Sequence, residues 1–305
     1  MGTTWSVAVQ DHVTDPETLN TEIQTVLDRI DGLMSNWKDD SDICRFNNLD
    51  SNTSLLISQE TAKVIQCAKE IYGITEGRFD PTLSPLIELW GFSRKERSAF
   101  PLPEEITLAL NQLGMDGVII DGQVLKKETN GLSLNLSGIA KGYGVDAVYE
   151  MLVASGYKRF LVEVGGEVRV SGQKTADTPW RIGIETPRYA STITRDLVAI
   201  AKLSDCAMAT SGDYRNFFEF EGNNYSHIID PRTGYPVKSP IASVSVIAST
   251  CMEADALATA FMILSPEKCI SLCDKDDRLF CLIIERDSGK THYSNGMKEL
   301  LLEIE

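Results

Sequence analysis

Positive charge is scarce in this chain. Lysine and arginine number 29 against 44 aspartates and glutamates, a formal net charge of −15 over 305 residues. Such a chain repels a phosphate backbone, which argues against a general nucleic-acid binder. The acid is spread rather than gathered in a tail and reads as solubility. Long apolar runs are missing as well. No stretch approaches the roughly 18 residues of a membrane span, and the greasiest segments, such as Asp255–Leu264, have the length of a core helix. No basic region followed by an apolar one opens the chain, so no signal peptide is expected. GxGxxG is absent, as is GxxxxGK followed by Ser or Thr, which leaves a Rossmann or P-loop site unsupported. Neither GxSxG nor His-Glu-xx-His occurs, so a serine hydrolase or zinc peptidase has little support. Histidine is rare, with only His12, His227 and His292.

The seven cysteines, Cys44, Cys67, Cys206, Cys251, Cys269, Cys273 and Cys281, are odd in number, and no pair has zinc spacing with histidine partners. They read as small buried hydrophobes and favour a reducing compartment. At 43% hydrophobic and 24% charged, the composition is that of a globular protein. The length suits two domains or one large domain with two lobes, at roughly 150 residues each. No linker or repeat marks a boundary.

The pattern predicts a strand over 1–10 and a helix opened by Asp15-Pro16, with Leu19, Ile23, Val26, Leu27, Ile30, Leu33 and Met34 at helical spacing. A polar loop is expected over 37–48. Ser58 caps a second helix, and 77–91 reads as a loop or short-helix region. A third helix starts at Pro103. Strands are expected at 117–121, 124–128 and 132–136, then a helix over 138–155. Further strands are expected at 159–164, 167–171, 180–184, 197–201, 215–220, 224–229, 242–248 and 279–285. Helices are expected at 252–264 and 266–274, with a short one closing the chain. Hairpins mixed with helices indicate an α+β fold rather than a doubly wound parallel sheet.

Five constellations have chemical content. In Leu136-Ser137-Gly138-Ile139-Ala140-Lys141-Gly142-Tyr143 a strand runs into a helix with Lys141 in the first turn, where the helix dipole disfavours a cation. A bound phosphate would remove that conflict; a solvated lysine is the plainer reading. Asp255 and Thr259, four apart, share a helix face. They either offer hard oxygens to Mg²⁺ or serve the helix itself, as a dipole partner and a back-bonded hydroxyl. His227 precedes a Pro-Arg-Thr-Gly turn and is either an acid/base group or a structural histidine. Gly165-Gly166 is either a tight hairpin or a point of close ligand approach. Arg78 and Phe79, on a Gly-Pro loop, and Trp37 either clasp an aromatic ligand or pack under a loop.

Taken in order, Met1-Gly2-Thr3, Ser41-Asp42 to Arg45-Phe46-Asn47, Gly77-Arg78-Phe79-Asp80, Leu136 to Gly142, Val164-Gly165-Gly166-Glu167, Ala209-Thr210-Ser211-Gly212, Ser226-His227-Ile228-Ile229-Asp230-Pro231 and Ala254 to Ala260 resemble the ApbE family, nearly end to end. The resemblance implies mixed or antiparallel sheets packed with helices, T-fold-like, in two lobes with a flavin site between them and a single catalytic unit over 1–305. It implies a Mg²⁺-dependent FAD:protein FMN transferase. FAD is split at its pyrophosphate, FMN passes to a Thr or Ser hydroxyl of a flavoprotein through a phosphoester, and AMP leaves. The implied acceptor is a subunit of sodium-pumping NADH:quinone reductase or a related electron-transfer complex. Asp255 and Thr259 would bind the metal by side chain, and Ala140 and Ala258 by carbonyl. Met1, Trp37, Arg78, Phe79, Asp80, Ser137, Tyr143 and Ile229 would touch FAD. Lys141 would face the phosphates, and His227 would be the acid/base residue. The alternatives are a Mg²⁺-dependent FAD pyrophosphatase and a non-catalytic flavin-binding protein. Family members carry an upstream signal and a lipid-bearing cysteine, which would place a longer form on the periplasmic face of the inner membrane. The cysteine content points instead to the cytoplasm.

Overall fold

The computed structural model describes residues 2–51, 53–92, 100–187, 196–212, 217–220, 223–226, 228–237 and 239–302. The elements run, in chain order, β1 (Trp5–Val9), α1 (Pro16–Met34), α2 (Asp42–Asn47), β2 (Leu55–Leu56), α3 (Gln59–Ile74), α4 (Ser84–Leu89), α5 (Pro103–Leu110), β3 (Val118–Asp121) and β4 (Val124–Lys127). Then come α6 (Ala140–Ala154), β5 (Phe160–Val164), β6 (Glu167–Ser171), β7 (Trp180–Glu185), β8 (Leu197–Leu203), β9 (Ala207–Gly212), β10 (Phe217–Phe220) and β11 (Asn223–Ser226). β12 (Ile241–Ala248), α7 (Cys251–Phe261), α8 (Pro266–Cys273), β13 (Phe280–Glu285), β14 (Thr291–Tyr293) and β15 (Leu301–Leu302) complete the chain, with 3₁₀ turns at Met115–Gly117 and Met297–Leu300. They divide between two compact units.

The first unit comprises Met1–Leu27, Lys141–Arg215 and Ser239–Glu305. Its main sheet has seven strands in the order β1-β5-β6-β9-β12-β13-β14, every neighbouring pair antiparallel. Strand alternation sends successive side chains to opposite faces. On one face, Phe160, Val162 and Val164 of β5 meet Leu19, Ile23 and Leu27 of α1 and Val145, Val148 and Leu152 of α6. On the other, Val168, Val170, Met208, Ile247, Leu282 and Ile284 pack against Trp180, Ile184, Ala199, Ala201 and Leu203 of an antiparallel sheet ordered β15-β8-β7. The unit is thus three layers deep, with helices, a large sheet and a small sheet. β12 is buried along its whole length, as a central strand covered on both faces must be. This α+β arrangement of antiparallel sheets and helices agrees with the sequence expectation.

The second unit comprises Asp28–Ala140 and Asn216–Lys238. It holds a small antiparallel sheet ordered β2-β4-β3, the helices α2 to α5 and the hairpin β10–β11. Leu86, Trp90, Ile106, Ala109 and Ile229 form its core cluster. Trp90 Nε1 donates to the Gly234 carbonyl at 2.7 Å.

Two expectations are corrected, and β9 is added to them. Residues 132–136 alternate as a strand would, burying Leu132, Leu134 and Leu136, yet they form none. Side chains take the place of a partner strand. Leu134 donates to Asn47 Oδ1 at 2.7 Å, and its carbonyl accepts from Asn47 and Asn36 at 2.9 and 2.8 Å. The Leu132 carbonyl accepts from Lys127 Nζ at 3.0 Å. The expected polar loop contains α2, which Ser41 caps at the Cys44 N–H and which buries Asp42, Ile43 and Phe46. β9, with the sequence Ala-Met-Ala-Thr-Ser-Gly, was not anticipated as a strand.

Candidate active site

β6 enters the main sheet through the two-residue turn Gly165-Gly166, both at positive φ (65° and 105°), with Val164 paired to Glu167 across it. This is the hairpin reading of the two glycines, and only glycine adopts both values freely. The turn makes Glu167 the first residue of β6. Val168 and Val170 go to the core between the sheets, so Glu167 and Arg169 face the helix layer.

Two helices present their N-terminal halves to these side chains. α6 follows a turn, and Lys141 is its second residue. Gly142 is next because no side chain fits there. A Cβ would run into the Cys251 carbonyl group, 2.7 Å from its carbon, and stand 2.8 Å from Asp255 Cβ. The space left by hydrogen lets the Gly142 N–H donate to Asp255 Oδ2 at 3.0 Å. α7 begins at Cys251, and Asp255 lies one turn in. Thr259 follows one turn later, its Oγ1 3.4 Å from Ser211 Oγ of β9.

The Lys141 ammonium is paired with Glu167 and lies 3.7 Å from Asp255 Oδ1. The two acids thereby resolve the conflict between a cation and the α6 dipole. Burial acts to lower the Lys141 pKa, but attraction to Asp255 and Glu167 outweighs it and holds the pKa above its usual value. Burial, and then the charge of Asp255, push the Glu167 carboxyl up to about 7 against the pull of Lys141. Glu167 Oε2 is buried and has no hydrogen-bond partner. Burial also drives the Cys251 thiol well above its usual range.

This donor set suits a hard divalent cation: a carboxylate and a hydroxyl on one helix face, a second hydroxyl beside it and an orphaned carboxylate oxygen nearby. Among the described residues no three His, Cys, Asp or Glu are grouped to hold a metal ion. A cation here would therefore draw on hydroxyl and carbonyl oxygens as well. At the end of α7 the Ile263 N–H donates to the Ala260 carbonyl at 3.1 Å.

The remaining expected residues are placed as follows. Tyr143 is buried in α6, and Ala140 is that helix's first residue. In the second unit, Trp37 is exposed (59%) and Ser137 is exposed. Phe79 and Ile229 are buried, Ile229 within the core cluster. Asp80 is buried and accepts from the Thr82 N–H and Oγ1 at 2.8 and 2.6 Å; burial raises its pKa. Arg78 donates to the Glu76 carbonyl at 3.0 Å, and its Nε is buried without a partner. Met1 and His227 lie outside the described residues. The sequence reading left Glu167, Ser211, Asp146 and Arg169 out of the site. Glu167 carried a signal, since an acid directly after a Gly-Gly turn starts a strand in which Val168 and Val170 alternate with Arg169.

An acid-and-lysine cluster on two helices over an antiparallel sheet, lined with oxygen donors, offers hard ligands of the kind a divalent cation takes. Comparison with known proteins identifies the family. The ApbE family matches residues 1–283. The FAD:protein FMN transferase of Vibrio cholerae is 38% identical over 299 residues, 97% of this chain and 89% of that protein. Its namesake in Haemophilus influenzae is 37% identical over 310 residues, 98% of this chain and 89% of that one. Among solved structures, flavin transferase ApbE from Vibrio cholerae superposes with a TM-score of 0.88 at 36% identity, covering 98% of this chain and 96% of that one. The apo form of Pseudomonas stutzeri flavinyl transferase ApbE gives 0.84 at 34% identity, covering 97% and 92%. The chain belongs to the ApbE family.

Proposed function

We propose that this chain is a flavin transferase that moves the FMN part of FAD to a protein, through a phosphoester on a Thr or Ser hydroxyl. The observation that carries the reading is the Lys141–Glu167–Asp255 cluster with Thr259 one turn further along α7. It occurs in a chain that aligns over nearly its whole length with FAD:protein FMN transferases.

In this reaction the P–O–P bond of FAD breaks, the acceptor oxygen bonds to the FMN phosphorus, and AMP leaves with the bridging oxygen. Such transfers depend on placement and charge neutralisation more than on covalent help from the enzyme. Lys141 contributes a fixed positive charge within the cluster, where Glu167 and Asp255 hold it in place. Asp255 and Thr259 by side chain, and Ala140 and Ala258 by carbonyl, would hold a Mg²⁺-like cation. When bound, such a cation supplies Lewis-acid neutralisation of the pyrophosphate oxygens. Trp37, Arg78, Phe79, Asp80, Ser137, Tyr143 and Ile229, with Met1, are assigned to FAD on the strength of the family motifs. His227 is assigned on the same ground to take the proton from the acceptor hydroxyl. The acceptor is a flavoprotein of an electron-transfer complex such as sodium-pumping NADH:quinone reductase.

The test is mass spectrometry of such an acceptor after incubation with this protein, FAD and Mg²⁺. Addition of FMN less water, lost when the acceptor Thr or Ser is replaced by Ala, is the expected result. Rapid AMP release with an unmodified acceptor would make the protein an FAD pyrophosphatase instead. Unchanged transfer by His227→Ala would remove that residue from the scheme.

A further inference from the structure

A second ion pair sits beside the first with its polarity reversed. Lys141 of α6 pairs with Glu167 of β6; five residues further along α6, Asp146 pairs with Arg169 of β6 at 2.7 Å. Each pair also reaches α7. Lys141 and the Gly142 N–H address Asp255. Asp146 accepts from the N–H groups of Cys251 and Met252, at 2.9 Å each, with one oxygen on each donor. Thr250 takes the Glu253 N–H at 3.3 Å, so the first three N–H groups of α7 are satisfied, two of them by a side chain from another helix. Asp146 is 2% exposed. The Arg169 guanidinium lies over the Tyr149 ring, 4.0 Å from its centroid, which fixes the charge paired with Asp146. A helix N-terminus tied at two N–H groups cannot slide or rotate without breaking both bonds.

We infer that Asp146, held by Arg169, is a positioning residue for the proposed flavin transfer: it sets the axial register of α7 so that Asp255 and Thr259 present their oxygens together. Asp146 touches neither of those side chains. Its effect runs through the α7 backbone, as an outer partner tunes a metal ligand it does not replace. The inference rests on the proposed transfer for its kinetic arm alone.

The test uses the full chain carrying Asp146→Asn, Arg169→Met or Arg169→Lys, each first shown to be folded by circular dichroism. Asn keeps the shape and one acceptor oxygen but leaves Arg169 without a counter-charge. Lys restores the charge but not the guanidinium fork. FMN transfer is followed across a Mg²⁺ titration. The expected result is a half-saturating Mg²⁺ concentration raised about tenfold or more in Asp146→Asn and Arg169→Met. The rate at saturating Mg²⁺ should stay within about threefold of the parent, with partial recovery in Arg169→Lys. A purely structural contribution would lower the amount of active protein and leave the Mg²⁺ midpoint where it was, and that outcome overturns the inference. If the parent transfers no flavin, the functional reading fails on its own. Calorimetric titration of the same proteins with Mg²⁺ alone then decides the positioning role. Weaker binding in Asp146→Asn than in the parent supports it; equal affinity, or no binding by the parent, overturns it.

Discussion

Replacing Gly142 by alanine sets two effects of opposite sign against each other. Gly142 lies within α6, and alanine in a helix is favoured over glycine by about 1 kcal/mol. On propensity alone the variant should be more stable. Against this, the new methyl group would collide with the Cys251 carbonyl group, standing 2.7 Å from its carbon and 2.8 Å from Asp255 Cβ. These atoms belong to backbone and to a Cβ, so no rotamer change moves them away. Overfilling a packed site costs roughly 1–3 kcal/mol. Separating α6 from α7 also breaks the Gly142 N–H bond to Asp255, a hydrogen bond to a charged group and so about 1.5–3 kcal/mol. The balance is a net loss of roughly 2–5 kcal/mol, enough to lower the melting temperature by about 4 °C or more for a unit of this size. Thermal unfolding followed by circular dichroism measures it, together with the Mg²⁺ midpoint of flavin transfer, which should rise as Asp255 shifts. A Gly142→Ala protein that melts at or above the parent would show that α6 and α7 are not locked at this crossing.

Gly32→Ala is the matched control. Gly32 lies in α1 with nothing within 4 Å of a built Cβ, so the same melt should show a gain of roughly 0.5–1 kcal/mol. Asp255→Asn keeps the shape of the side chain and removes its charge. Transfer of FMN should fall by about 100-fold or more while the melt shows a folded protein, and a tenfold or smaller effect would exclude Asp255 as the principal ligand. Glu167→Gln tests the raised carboxyl. A group whose pKa rises to about 7 in the fold stabilises it most below its ordinary value near 4.5 and loses that contribution as pH climbs through 7. The parent should therefore lose stability relative to Glu167→Gln between about pH 4.5 and 7. Parallel melting curves across that window would show that Glu167 ionises in the fold as it does in water.

Where burial is one-sided, the secondary structure was legible. The helical spacing of Leu19, Ile23 and Leu27 maps onto the α1 face that packs on β5, and Ser58 caps α3 by accepting from the Thr61 N–H at 3.1 Å. β9 escaped because Ala-Met-Ala-Thr-Ser-Gly has neither β-branched density nor alternation. It is a strand because β6 and β12 offer it partners on either side. Residues 132–136 failed in the opposite way. Alternation reports which side chains are buried and not what the backbone bonds to, and here Asn47 and Lys127 provide those bonds. That Asp255 and Thr259 share a face of α7 and that Lys141 sits in the first turn of α6 was legible, because spacing and helix position are local properties. Glu167 and Asp146 were not, because each acquires its role from a residue on a different element.

The sequence by itself determined the acidic surface, the α+β class, and the pairing of Asp255 with Thr259 on one helix face. Each follows from composition or from the 3.6-residue turn. Only the tertiary structure decided that Lys141 is neutralised by two acids from β6 and α7. It alone decided that Gly142 is a crossing point between helices and that Asp146 caps a helix more than a hundred residues away. Those facts depend on distances between elements. Distances are set by how side-chain volumes fill the space between layers, and no local pattern along the chain records that.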